Sequence, residues 1–175
     1  ITTHGEDFES ISEQFAAAGY ETGVDYLRNN DSRNASEFSA KGLVSDLRAA
    51  GILDNKHLPE VYLQGSIEQR KALLAGLMDS DGTWNIKRRR ASFCTTDDRM
   101  ARQFCDLVAS QGQRVQTSMH ENSGYGKTVL AFYVEWTPGF NPFRSTRKAS
   151  KFEDRSGESH VRRWHEVRAK EIPSV

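Results

Sequence analysis

Two segments of the chain carry apolar residues at helical spacing, and the second repeats the first at an offset of 93 residues. The apolar positions are Phe8, Ile11 and Phe15 in the first segment and Ala101, Phe104 and Val108 in the second. Each segment contains a Thr-Thr pair before the helix and a glycine after it, Gly19 or Gly112, which suits a left-handed helix cap. This pattern predicts an internal duplication in which each copy contains a strand, a helix and further strands.

A third helical stretch, "SIEQRKALLAGLMDSDG", begins at Ser66 and reaches Gly82. Ser66 as N-cap and Gln69 three residues later form the pattern of a capping box. The stretch ends with Asp79 and Asp81, although the carbonyl end of a helix carries partial negative charge and disfavours acids. Either the acids belong to a solvated turn, or a positive group lies at this helix end.

The remaining pattern predicts antiparallel strands and one more helix. Residues 129–136, "VLAFYVEW", alternate as a half-buried strand does, and "NSGYG" before them is a hairpin-turn signal. Residues 42–53, "GLVSDLRAAGIL", predict an amphipathic helix, and a connector interrupted by Pro59 follows it. The predicted fold class is therefore α+β.

Composition and charge change this picture little. The chain has 175 residues, enough for one ordinary domain or two small ones, and 24 Lys and Arg balance 24 Asp and Glu. The net charge therefore predicts no polyanionic partner. Basic residues nevertheless concentrate at positions 87–90 and 144–151, and a neutral protein can bind nucleic acid through one basic face.

The two cysteines and the lack of long apolar runs bear on the cellular setting. Cys94 and Cys105 fit neither a zinc pattern nor a disulfide framework, which predicts reduced thiols in a cytoplasmic protein. The sequence contains no signal peptide and no run long enough to span a membrane, so no membrane partner is predicted. Because the chain begins at Ile1 without a methionine, we expect it to be a piece of a longer protein.

The motif "LLAGLMDSDG" resembles the signature of the LAGLIDADG homing endonucleases, with mild departures at Met78 and Ser80. The segment "NKHLPEVYLQG" before it is similar to the Lys-x-(Leu/Ile)-Pro element of intein-borne endonucleases, and "NPFRSTRKAS" resembles actinobacterial or phage intein sequence. The resemblance implies two αββαββα halves about a pseudo-twofold axis, with motif helices that approach closely through Ala75 and Gly76. The repeat offset places the first motif helix upstream of Ile1, outside this chain.

The resemblance also implies a division of the chain and a function. Residues 1–58 would form a first, incomplete half, residues 59–152 the second half, and residues 153–175 a tail that returns to a splicing domain. The expected function is that of an intein-encoded, site-specific DNA endonuclease that uses Mg²⁺, with double-stranded DNA, the splicing domain and the host protein as partners. With one motif acid present, we expect this chain alone to nick DNA at best. The alternatives are a DNA- or RNA-binding module that does not cleave, and a structural insertion.

By the same resemblance, Asp81 would bind the metal and act as the catalytic acid. Asp79 would be either a second metal ligand or a structural hydrogen-bond acceptor. Lys56 matches the lysine before the Pro element and would act near the scissile phosphate. The repeat offset carries Lys56 to the neighbour of Lys148, which becomes the candidate lysine of the second half, with Arg147 or Lys151 as alternatives.

DNA contacts are expected from the strands, because a β-ribbon fits the major groove and its side chains alternate between faces. Two alternating sets could read bases, with Gln113 nearby: Asn85, Lys87 and Arg89, and Gln116, Ser118, His120 and Asn122. The residues expected at phosphates are Arg88, Arg90, Lys127, Arg144 and Arg147. The alternative is a solvated strand face and, for the basic run at 87–90, a solvated turn.

Overall fold

A computed structural model describes residues 1–27, 35–124 and 127–152, without the side chains of residues 24–27, 35, 124 and 127. The predicted tail at 153–175 lies outside these residues. In the described part of the chain, no helix is both long and apolar enough to cross a membrane. Cys94 and Cys105 are free thiols, as predicted, and both are half-buried.

The first part of the chain builds a three-stranded antiparallel sheet with a helix against it. Its elements are β1 (Thr2–His4), a 3-10 turn (Gly5–Asp7), α1 (Phe8–Ala17), β2 (Thr22–Leu27), β3 (Ala35–Ala40) and α2 (Leu43–Ala49), and the strand order is β1-β3-β2. Phe38 of β3 is fully buried, and the rings of Phe8 and Phe15 lie 5.8 and 5.5 Å from its ring. The aromatic spacing of α1 therefore forms the small core that the helical pattern predicted.

The second part builds a four-stranded antiparallel sheet. Its elements are α3 (Glu60–Leu63), α4 (Ile67–Asp81), β4 (Gly82–Asn85), β5 (Arg90–Thr95), α5 (Asp98–Ala109), β6 (Val115–Gly124), β7 (Lys127–Trp136) and α6 (Thr146–Ala149). The strand order is β4-β5-β7-β6. Strands β6 and β7 pair as the predicted hairpin, with Gly124 opposite Lys127, and residues 125–126 at its tip lie outside the described residues.

The two sheets confirm the predicted duplication. The order β5-β7-β6 repeats the order β1-β3-β2, and α5 follows β5 as α1 follows β1. Gly19 and Gly112 both take the left-handed conformation expected after the duplicated helices, with φ of 92° and 74°. Strand β4, which directly follows α4, has no counterpart among the described strands of the first sheet.

The larger core lies between the four-stranded sheet and the helices α4 and α5. The stacked rings of Phe93 and Phe104 are 4.1 Å apart, and Leu74 and Met78 of α4 are fully buried beside them. Leu58 of the connector joins the same core, where Gln103 bonds its main-chain N–H and C=O at 2.8 and 2.7 Å. These contacts pack the second half of α4 on the sheet and tie the connector before it to α5.

The outer face of α4 is open. Ala75 is 7% exposed and thus buried by this chain itself, whereas a Cβ on Gly76 would meet nothing within 4 Å. A close approach of a second helix through Ala75 and Gly76 stays a prediction, and of the two positions Gly76 has the open space. The open face passes through Gly76 and the exposed Ser80.

The start of α4 is the predicted capping box. The Ser66 hydroxyl accepts from the N–H of Gln69 at 3.3 Å, and the Gln69 side chain accepts from the N–H of Ser66 at 2.8 Å. Both bonds satisfy N–H groups that have no partner within the helix.

Replacing Ser66 by alanine should lower the free energy of unfolding by about 1 kcal/mol, because one N–H of the first turn loses its acceptor. Urea unfolding followed by circular dichroism measures this loss. In a double-mutant cycle with Gln69→Ala, the two losses should be less than additive, since both side chains serve one box. Fully additive losses would show that the two bonds act independently.

Candidate active site at the end of helix α4

The end of α4 is defined by a close contact at Gly82. Its φ of −81° and ψ of 152° are extended, and its N–H donates to the carbonyl oxygen of Met78. A Cβ at Gly82 would lie 2.6 Å from both Cα and the carbonyl oxygen of Met78, and would overlap its methyl group. Glycine is thus required here by space and not by a left-handed backbone. The chain leaves α4 and enters β4 without a loop, which leaves Asp81 at the surface.

Asp81 presents an available carboxylate. The residue is exposed, and within the described part of the chain its one hydrogen-bond partner is the Ser80 hydroxyl, 3.2 Å from Oδ2. An exposed carboxylate with a single weak donor retains lone pairs for a cation. Asp81 therefore has the freedom that a metal ligand needs.

Lys148 of α6 places an ammonium group at the carbonyl end of α4. Its Nζ lies 2.7, 2.8 and 2.9 Å from the carbonyl oxygens of Asp79, Gly82 and Met78, and 3.4 Å from that of Ser80. This positive group resolves the unfavourable charge of the acids at this helix end. Burial and the neighbouring Arg147 lower the pKa of Lys148, although the nearby aspartates oppose this shift.

Asp79 holds α6 against α4. Its carboxylate accepts from the N–H of Arg144 at 3.1 and 3.2 Å and from the N–H of Ser145 at 3.1 Å. Burial raises the pKa of this carboxyl despite the two main-chain donors and the charge of Lys148. Of the two motif acids, Asp79 is thus engaged by the protein and Asp81 is available.

Asp7, in the 3-10 turn after β1, contacts the same segment. Its Oδ1 accepts from the Ser145 hydroxyl at 2.6 Å, and its Oδ2 accepts from Nε and Nη2 of Arg147 at 2.9 and 2.8 Å. Burial alone would raise the pKa of Asp7, but the bonds from Ser145 and Arg147 and the charge of Arg147 outweigh it, so the pKa is lowered. Sequence reasoning missed Asp7, because its partners lie 138 and 140 residues away and no local pattern marks it.

The lowered pKa of Asp7 predicts a pH-dependent contribution to stability. A carboxyl with a native pKa below its unfolded value of about 3.9 stabilises the fold above that value, and this stabilisation is lost as the pH falls through the native pKa. Asp7→Asn should therefore lower the free energy of unfolding by about 2 kcal/mol near neutral pH, and by less near pH 3.

Urea unfolding of the native chain and the variant at both pH values measures this difference. Asp79 is the matched comparison, because its pKa is raised and its pH dependence has the opposite sign. Since the fold disfavours the ionised form of Asp79, this carboxyl contributes most to the free energy of unfolding at low pH. A difference between Asp7→Asn and the native chain that is constant with pH would contradict the assignment.

Lys56 forms no hydrogen bond or ion pair with the residues of this cluster in the described part of the chain. The residue is exposed in the connector before Leu58. Lys148, the candidate that the repeat offset predicted for the second half, does lie at the end of α4. The catalytic role of each lysine stays a prediction.

The basic run at 87–90 lies at a turn. Strand β4 ends at Asn85, residues 86–89 form the turn, and β5 begins at Arg90. The prediction that Asn85, Lys87 and Arg89 alternate along one strand is therefore wrong, since Arg89 also has a positive φ of 51°. The Asn85 side chain accepts from the N–H of Arg88 at 3.0 Å and so stabilises the turn.

The second alternating set lies on one face of the sheet. Pairing of β6 with β7 places four side chains on the face opposite the core: Gln116, Ser118, His120 and Asn122. Tyr133 of β7 shares this face, where its hydroxyl accepts from Asn122 at 2.7 Å and its ring lies 5.5 Å from that of His120. The face is polar and largely exposed, as the alternation predicted.

The other predicted DNA contacts differ in how far they are available. Gln113 bonds the N–H of Gly139 at 2.9 Å, the guanidinium of Arg147 pairs with Asp7, and Arg90 donates to the carbonyl oxygen of Glu135 at 3.4 Å. Arg88 and Arg144 are exposed. The side chain of Lys127 lies outside the described residues. Their role in DNA binding stays a prediction.

The donors at the end of α4 suit a hard cation such as Mg²⁺. This ion prefers oxygen ligands and keeps several waters, so one or two carboxylates suffice. In the part of the chain that the structure describes, no three His, Cys, Asp or Glu side chains come together as a metal-binding group. Asp81 is the available protein ligand, and water or phosphate oxygens would complete the coordination.

Comparison with known proteins identifies the fold. The chain is similar to two variants of I-DmoI solved in complex with their target DNA; I-DmoI is a homing endonuclease. With the variant solved in the presence of Mg, the TM-score is 0.50 at 16% identity, over 91% of this chain and 80% of that chain. With one solved in the presence of Mn, it is 0.50 at 15% identity, over 87% and 74%. The chain thus has the LAGLIDADG homing-endonuclease fold, of the α+β class.

One relative found by sequence comparison is named as a helicase and not as an endonuclease. The chain is 37% identical over 115 residues, 65% of its length, to a replicative DNA helicase DnaB of Mycobacterium intracellulare. The match spans about one fifth of that relative, 20% of its length. No protein-family model matches the chain.

Proposed function

We propose that this chain is the endonuclease segment of an intein and that it hydrolyses DNA at a specific site with Mg²⁺. The observation that carries the proposal is the exposed Asp81 at the end of the motif helix, where the ammonium of Lys148 bonds the carbonyls, in a chain whose sheet has a polar, exposed face. The division into a first half at 1–58, a second half at 59–152 and a tail at 153–175 is part of this proposal.

The helicase relative supports the intein setting. An intein is carried within another protein, and an endonuclease fold has no evident place in a replicative helicase. A match confined to one fifth of a protein named DnaB is what an inserted segment would give. The host would then be a DnaB-type helicase, and the partners would be that host, a splicing domain and double-stranded DNA.

In the proposed reaction, Asp81 would hold the metal at the end of α4, and a bound Mg²⁺ would supply Lewis-acid stabilisation of the phosphate. The ammonium of Lys148 lies at the same helix end and offsets negative charge that develops on phosphate oxygens. Asp79 holds the chain of Arg144 and Ser145 and so keeps Lys148 in place. Lys56 would serve the site that the other motif helix completes.

DNA would lie across the polar face of the four-stranded sheet. Gln116, Ser118, His120 and Asn122 project from one strand at every second position, a spacing that suits base edges in the major groove. Arg88 in the turn and Arg144 beside α6 would contact phosphates, which position the protein on the duplex.

A second candidate is a module that binds DNA without cleaving it. The observation that favours it is the single available acid, since Asp79 is engaged by main-chain N–H groups and Lys148 already bonds the carbonyls at the helix end. Such a protein would keep the sheet face and lose the reaction.

The test is binding and cleavage of a duplex that carries the uninterrupted coding sequence of a DnaB-type helicase. Both this chain and the longer protein that contains it are incubated with the duplex and a scrambled control, with Mg²⁺ or with chelator. Preferential binding with Mg²⁺-dependent cleavage is expected, with nicking at most from this chain alone. Binding without cleavage by the longer protein would favour the second candidate, and no preference for the duplex would overturn both.

A further inference from the structure

We propose that Asp7 is a positioning residue through which the first part of the chain fixes Lys148 at the end of α4. This inference rests on the proposed function, because it assigns Asp7 to the site where cleavage would occur. Asp7 belongs to the 3-10 turn before α1, whereas Lys148 belongs to the second part of the chain.

The first step is the closed environment of Asp7. Its side chain is 6% exposed, and three donors from Ser145 and Arg147 use both of its oxygens. A carboxylate so deeply buried requires such partners, since an unpaired buried charge is costly. Separating Asp7 from the segment that contains Ser145 is therefore energetically unfavourable.

The second step is that α6 depends on contacts from outside. It spans four residues, too few to be stable as an isolated helix. Two carboxylates hold its N-terminal end: Asp79 accepts the N–H of Ser145, and Asp7 accepts its hydroxyl. Asp79 belongs to the motif helix and Asp7 to the 3-10 turn of the first part of the chain, so α6 is held by both parts.

The third step leads from α6 to the helix end. The N–H of Lys148 donates to the carbonyl oxygen of Ser145 at 3.0 Å, so Ser145 fixes the turn that carries Lys148. Arg147 is the next residue along the chain and would repel the ammonium if left unpaired. Asp7 neutralises Arg147 and anchors Ser145 at once, and both effects keep Lys148 on the carbonyls of α4.

Asp7→Asn tests the proposal, with Glu6→Gln as matched control, because Glu6 is an exposed acid in the same turn. Amide hydrogen exchange and the ¹⁵N signal of the Lys148 ammonium are measured at neutral pH. We expect exchange in residues 144–149 to become about tenfold faster than in native protein, with β7 less affected, and the Lys148 signal to shift. Glu6→Gln should leave both unchanged.

Arg147→Lys provides a second variant that keeps the positive charge and loses the two-pronged contact with Asp7. It should reproduce the local loss of protection even if Asp7→Asn does not fold. Native exchange and a native Lys148 signal in Arg147→Lys, or in folded Asp7→Asn, would overturn the proposal. Local loss of protection in a protein that shows no DNA preference would support the positioning role and contradict the proposed function instead.

Discussion

Replacing Gly82 by alanine should lower the free energy of unfolding by about 3 kcal/mol, the largest loss expected from one methyl group in this chain. The added Cβ would lie 2.6 Å from Cα and from the carbonyl oxygen of Met78. Both are main-chain atoms of α4, so no change of rotamer relieves the overlap. The helix end has to move, and the bond from the N–H of Gly82 to Met78 is lost with it.

Urea unfolding measures this loss, and Gly76→Ala is the matched control in the same helix. A Cβ at Gly76 meets nothing within 4 Å, so alanine there should raise stability by up to about 1 kcal/mol through helix propensity. The two variants make the same chemical change six residues apart and should shift stability in opposite directions. Equal effects would show that the contact at Met78 does not limit Gly82.

Replacing Asp81 by asparagine should reduce Mg²⁺-dependent DNA cleavage by about a hundredfold or more in a protein that cleaves. Asparagine keeps the size of the side chain and removes the charge that would hold the cation. Asp81 is exposed and its one partner in the described structure is the Ser80 hydroxyl, so folding should be unchanged. DNA binding should also be retained, since the sheet face is intact.

Cleavage rate, DNA affinity and thermal unfolding are measured together for this variant. Glu68→Gln is the control, because Glu68 lies in the first turn of the same helix and its ion pair with Lys71 is exposed. It should leave cleavage unchanged. Undiminished cleavage by Asp81→Asn would remove Asp81 from the catalytic role, and a parallel loss of DNA affinity would assign it to binding.

Local features of the fold could be predicted from the sequence. The capping box at Ser66 and the left-handed caps at Gly19 and Gly112 depend on residues within one turn of each other. The repeat predicted the duplication, because the same helical spacing follows the same Thr-Thr pair in both copies, and the two sheets share one strand order. Each of these elements is specified by a short stretch of chain, and a sequence pattern can therefore predict it.

The turn at 86–89 shows where the pattern misled. Its sequence contains no glycine or proline, so the alternation of Asn85, Lys87 and Arg89 looked like a continuing strand. The available signal was Asn85 itself, an asparagine whose side chain commonly accepts from the main chain of a turn. A long-range contact such as Asp7 with Arg147 left no such signal, because 140 residues separate the partners.

The ammonium of Lys148 at the end of α4 has a consequence for how this protein would acquire its metal. Since the ammonium of Lys148 bonds the carbonyls of the motif and attracts its acids, part of the negative charge at the helix end is already offset within the chain. Folding and metal loading would therefore be separate events, unlike in proteins whose metal completes the fold. The apoprotein should keep its thermal midpoint in chelator, ready to take up its cation together with the phosphate that brings the missing ligands.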